Sequence, residues 1–225
     1  MLALASDPIH PDAHRNHESL ALVALTRGNV EDALDHAARA LRIYDSDVNV
    51  YLVSAIAFSV AGHYRDGIQS ANAGLNLVQT GPIRAYLITL KAFAQAALGE
   101  PGNANATLDD GLASVGREFK IFLTGSMARL GRTEEARQTL AGLAALEHPP
   151  AMAVWTMAST YPALDSDLAF DWIHQAIDRH NIPVVTSLRF DFRYDELRGD
   201  PRWTKVMRHL EKEEAKTRAG TLDSG

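Results

Sequence analysis

Apolar and polar positions along this chain recur with helical spacing, and the whole pattern then recurs. Residues 27–41, RGNVEDALDHAARAL, put Ala33, Ala37 and Ala40 on one face of a helix that starts just after a glycine. Residues 61–75, AGHYRDGIQSANAGL, repeat the form with Gly67, Ala71 and Gly74. A third copy, LGEPGNANATLDDGL, carries Ala104, Leu108 and Gly111, and a fourth, LGRTEEARQTLAGLA, carries Ala136, Leu140 and Leu143. The copies are headed by Gly28, Gly62, Gly99 and Gly131, spaced 34, 37 and 32 residues apart. A fifth, ALDSDLAFDWIHQAI, lacks the glycine but keeps Ala169, Ile173 and Ala176.

The pattern predicts helical hairpins. A glycine takes the left-handed conformation that ends one helix, and a residue such as Asn29 or Thr133 caps the next. Small residues three to four apart let the second helix approach its antiparallel neighbour closely. One hairpin cannot bury its apolar face alone, so successive hairpins stack. An irregular helical bundle is the alternative, but it has no reason to keep a small residue at fixed offsets after each glycine.

These residues resemble the tetratricopeptide repeat, a helix-turn-helix unit of roughly 34 residues. The first unit, from His14, matches with Leu20, Ala21, Ala33 and Ala40; the second, from Val48, with Tyr51, Ala55 and Phe58. The third, from Ala85, matches with Ile88, Ala92 and Ala104; the fourth, from Arg117, with Leu123, Ala136 and Leu140; the fifth, from Pro150, with Met157, Ala169 and Ala176. The copies are degenerate: Lys91 and Lys120 stand at usually apolar positions, and Asp45 replaces a proline. The resemblance implies an all-α, right-handed superhelical solenoid of five hairpins with a C-terminal capping helix. The expected division is residues 1–13 as an N-terminal cap or remnant of a preceding repeat, 14–181 as the array, 182–218 as a capping segment and 219–225 as a disordered tail.

The stretch IPVVTSLRFDFRYDELRGDPRWTKVMRHL is similar to a tail that follows the last repeat in many bacterial signalling proteins of that family. Asp200 is placed to cap a helix beginning at Pro201, and Trp203, Val206, Met207 and Leu210 form an apolar stripe. That stripe, with Phe190, Phe192 and Tyr194, is expected to close the end of the stack.

Composition narrows the chemistry. The chain has 225 residues, 46% hydrophobic and 22% charged, ample for a sizeable core. A net charge of −6 argues against nucleic acid, whose phosphates need clustered Lys and Arg. There are no cysteines, which excludes disulfides and thiolate chemistry. No segment reads as a spanning helix, MLALASDPIHPDAH lacks the basic flank of a secretory signal, and the expected setting is the cytoplasm. His10, His14 and His17 are close in sequence, but no neighbouring cysteine or well-spaced carboxylate completes a ligand set, so no metal is expected. The acid pairs Asp109-Asp110 and Glu134-Glu135 point apart on a helix, and no phosphate loop or catalytic constellation stands out. Neither an enzyme nor a cofactor is expected.

The resemblance also assigns an inner wall to the first helix of each unit. Carried over residue by residue, it places Leu22, Asn49, Leu52, Ile56, Val60, Tyr86, Thr89, Phe93, Phe122, Arg129, Val154 and Tyr161 there. The lysine and asparagine clamp by which chaperone-binding relatives hold a terminal carboxylate is absent, since those positions are Glu18, Leu22, Leu52, Ile56, Thr89 and Phe93. An apolar groove fits a partner helix or peptide, which makes a non-enzymatic interaction scaffold the leading expectation. The alternative is a regulatory module sensing a small ligand. Three occupants stay open at this point: a partner or second copy of the chain, the chain's own C-terminal helix folded back, or a small molecule.

Overall fold

The computed structural model describes residues 13–222, so His10 and all but the last residue of the expected N-terminal cap or remnant lie outside the described residues. α1 (Ala13–Thr26) and α2 (Val30–Ile43) make a first hairpin, α3 (Val48–Val60) and α4 (Tyr64–Leu77) a second, and α5 (Pro82–Ala97) and α6 (Pro101–Ser114) a third. In the fourth, a 3-10 helix over Arg117–Leu123 leads into a short α7 (Thr124–Arg129) before α8 (Thr133–Ala144). The fifth joins α9 (Ala151–Thr160) to α10 (Ser166–Asp178). α11 (Ile182–Ser187), a 3-10 turn over Phe192–Tyr194, α12 (Asp195–Arg198) and α13 (Trp203–Leu222) complete the chain. Each of the first six helices packs chiefly on its neighbours in sequence, and no strand occurs among the described residues. The result is an all-helical repeat fold.

The repeated glycines do what their spacing predicts. Gly28, Gly62, Gly99 and Gly131 have φ of 76°, 75°, 77° and 82°. In each case the following amide reaches back to a carbonyl of the last helical turn: Asn29 to Ala24, His63 to Phe58, Glu100 to Gln95 and Arg132 to Met127, all at 2.9 Å. Ala33, Ala104, Ala136 and Ala169, at one offset in their units, are wholly buried. Gly74 and Gly111, each twelve residues after the heading glycine, are notches for α5. A Cβ there would fall 2.8 Å from Leu87 Cδ1 and 2.7 Å from Ile88 Cγ2, respectively.

Several local expectations change. Asn29 caps α2 by accepting from the Asp32 amide, but Thr133 does not cap α8. It lies inside the first turn, and Arg132 occupies the cap position, bridging Asp109 and Glu135. The fourth unit does not open as an α-helix. Thr89 on α5 donates to the Phe122 carbonyl at 3.1 Å, and Thr124 donates to the Ile121 carbonyl at 2.8 Å. These side-chain donors stand where the 3-10 segment passes into α7 and serve carbonyls there. The fifth hairpin, lacking its glycine, turns through a 3-10 segment at Tyr161–Ala163, and Asp165 caps α10 by accepting from the Asp167 and Leu168 amides. At the far end of α10, His180 takes the left-handed role with φ of 49°, and Asn181 caps α11.

α13 lies on α10, with Val206 and Leu210 buried in one cluster with Ile173 and Ile177. Asp200 accepts from the Arg202 amide at 2.8 Å ahead of it, and the regular helix begins at Trp203 rather than Pro201. The helix continues to Leu222, beyond the point where a disordered tail was expected.

Candidate functional site: an inner wall occupied by the chain's own segment

The expected wall residues do not form an open groove. Chain from Leu188 to Tyr194, between α11 and α12, lies across them. Phe192 stacks on Phe93 with ring centroids 3.4 Å apart and planes 16° apart. Phe190 packs with Val60 and Ile56 of the second hairpin against Ala24, Leu25 and Ala33 of the first. Phe122 and Tyr86 meet Trp155 at 5.4 and 6.1 Å between centroids. Val154 and Tyr161 are buried in the same cluster as Trp155. Thr89 is buried and spends its hydroxyl on the Ala85 and Phe122 carbonyls. Leu52 packs, partly buried, beside the cluster of Ala55, Ala71, Leu87 and Leu90, which joins the second and third hairpins. Two members stand apart: Leu22 is 37% exposed, and Asn49 is exposed with its amide groups turned to the Asp47 cap.

Phe190 and Phe192 were expected to plug the end of the stack, and instead Phe192 lies on Phe93 of the third hairpin and Phe190 beside the first two. The expected internal occupant was the C-terminal helix. That helix goes to α10, and the segment preceding α12 fills the wall.

At the centre is a charged pair that the sequence reading did not single out. Asp191 and Arg193 are each 3% exposed. The carboxylate of Asp191 accepts from Arg193 Nε, Nη2 and the Arg193 backbone amide. Arg193 Nη2 also donates to the Tyr86 hydroxyl at 2.9 Å. Its guanidinium carbon lies 4.7 Å from the Trp155 ring centroid and 5.2 Å from that of Tyr86. Arg129 grips the same turn from α7, donating to the Arg193 carbonyl at 2.5 Å. Arg198 donates to the Asp191 carbonyl at 3.1 Å.

Electrostatics follow from this burial. Burial opposes the charge on Arg193, but Asp191 beside it more than compensates, and its pKa lies above the ordinary arginine value. Burial lowers that of Arg129. Burial pushes the Tyr86 phenol up, with the neighbouring Arg193 pulling the other way. Tyr194, wholly buried, is pushed up first by burial and then by Asp191.

The alternation Phe190-Asp191-Phe192-Arg193-Tyr194 was the available signal for this site. Opposite charges two residues apart, set between aromatics, suit a turn whose charges pair with each other while its rings pack on a wall. A small apolar pocket remains beside the stack, lined by Thr89, Phe93, Ser126, Arg129 and Phe192 among others.

Comparison with known proteins adds little to this geometry. No protein-family model matches the chain, and no curated protein matches it. A solved structure described as "Functional Characterization of Pseudomonas Aeruginosa pilF" is similar over 84% of this chain and 98% of that one, at 17% identity and a TM-score of 0.32. At that distance the likeness carries no argument, and the helical-repeat reading rests on the helices themselves. No helix among the described residues is long and apolar enough to cross a membrane.

Proposed function

We propose that this chain is a non-enzymatic protein-interaction scaffold whose inner wall recognises a turn of polypeptide carrying aromatic and arginine side chains. One observation carries the reading. The wall holds residues 190–194 as a receptor holds a peptide, by an aromatic stack on Phe93, an arginine against Tyr86 and Trp155, and a backbone carbonyl taken by Arg129. A partner segment of the same chemistry competes for this wall with the resident one. The wider reading is a right-handed superhelix of tetratricopeptide type over residues 14–181, closed by residues 182–218, acting in the cytoplasm on a protein partner or a second copy of the chain.

The test uses the full chain bearing Phe192→Ala, which loosens the resident segment, and a labelled synthetic peptide of residues 186–198. Fluorescence anisotropy is expected to show saturable binding to this variant, weak binding to the unmodified chain, and loss of binding when Phe93→Asp is added. A folded Phe192→Ala chain that ignores the peptide refutes the reading.

A further inference from the structure

His14 and Glu18 lie four residues apart near the start of α1 and so share one face of it. Asp47, the cap of α3, is brought opposite them by the intervening hairpin. His14 Nε2 stands 3.6 Å from Asp47 Oδ2. One ligand atom from each of the three side chains lies within 4.8 Å of the other two.

His14 is 5% exposed, yet neither ring nitrogen has a hydrogen-bond partner, and Glu18 Oε1 has none either. A buried imidazole with both nitrogens unspent is uncommon in a settled core. Asp47 is divided in a telling way. Its Oδ1 accepts from the backbone and side-chain amides of Asn49 at 2.9 and 3.0 Å, which leaves Oδ2 toward His14. The Tyr44 ring, 4.9 Å away, packs against the imidazole.

We propose that His14, Glu18 and Asp47 bind a divalent first-row transition ion, zinc foremost, which clips the first hairpin to the second. Zinc holds nitrogen and oxygen ligands at about 2.0–2.2 Å, so tetrahedral neighbours sit about 3.4 Å apart. The His14–Asp47 separation is beyond hydrogen-bond length and close to that spacing. An imidazole with two carboxylates suits zinc better than calcium or magnesium, which take oxygen ligands. Asn49 supplies the outer support that orients a ligating carboxylate. A water completes the shell.

Two histidine pairs elsewhere, His17 with His36 and His174 with His209, each with Nδ1 atoms 2.9 Å apart, are rival zinc binders. The test therefore uses the full chain with His36→Gln and His209→Gln, stripped by chelator and titrated with zinc by calorimetry and thermal melting. One equivalent is expected to bind and raise Tm by several degrees, with magnesium unable to compete. Asp47→Asn keeps the helix cap, because an amide oxygen also accepts from the Asn49 amide. It is expected to weaken zinc at least tenfold, as are Glu18→Gln and His14→Gln. Absence of a zinc-dependent shift, or affinity unchanged in Asp47→Asn and Glu18→Gln, overturns the site.

Discussion

The residues assigned to the inner wall differ from one end of the array to the other. At the first hairpin Leu22 is 37% exposed, whereas farther along Thr89, Val154 and Tyr161 are 2%, 1% and 8% exposed. All four were assigned to the wall by the same reasoning. Leu188 and Tyr194 share a cluster with Val154 and Tyr161, Thr89 is closed over by the Phe122 carbonyl, and of the 188–194 segment Phe190 reaches the first hairpin. Residues assigned to one surface by the same register thus meet very different surroundings.

The covered end should be far more sensitive to substitution than the open one. Arg193→Ala strands Asp191 as a buried, unpaired charge and is expected to cost about 3–5 kcal/mol. Arg39→Ala, which breaks an exposed pair with Asp35 on α2, is expected to cost less than about 1 kcal/mol. Urea denaturation separates the two readily. Equal effects would erase the distinction.

Packing gives the next contrast. Gly111→Ala forces a methyl group against Ile88 and Leu123, for an expected loss of about 1–3 kcal/mol in thermal unfolding. Gly142→Ala, in α8, meets nothing within 4 Å and is expected to gain up to about 1 kcal/mol from helix propensity.

A smaller effect concerns pH. His174 is held below the ordinary histidine value of 6.5, first by burial and then by His209. The unfolded chain therefore takes up this proton at higher pH than the folded one, so stability falls as pH drops through the histidine range. Above that range the group contributes nothing to the slope. His174→Gln should flatten the acid side of a stability–pH curve, and an unchanged curve would remove His174 from the account.

Much of the fold was legible because its signals are local. A glycine such as Gly28 ends a helix through its own backbone, and Ala33 or Ala136 marks a close approach within one hairpin. The fourth unit misled because it opens as a 3-10 helix, at whose end the Phe122 carbonyl accepts from Thr89, nearly one repeat away. The fifth hairpin was readable without its glycine, since Asp165 can cap what glycine does not begin. The candidate site was less legible. The pairing of Asp191 with Arg193 is local, but their seat on Tyr86 and Trp155 joins distant parts of the chain. His14 and Glu18 could not be linked to Asp47 for the same reason, and sequence proximity drew attention to His10 and His17 instead.

The central claim is that residues 188–194 are the resident ligand of the inner wall. Hydrogen–deuterium exchange of the intact chain tests it most directly. Amides of this segment are expected to be protected nearly as well as those of α5, and Phe93→Ala should speed their exchange. Exchange of the segment at open-chain rates in the unmodified protein would contradict the account.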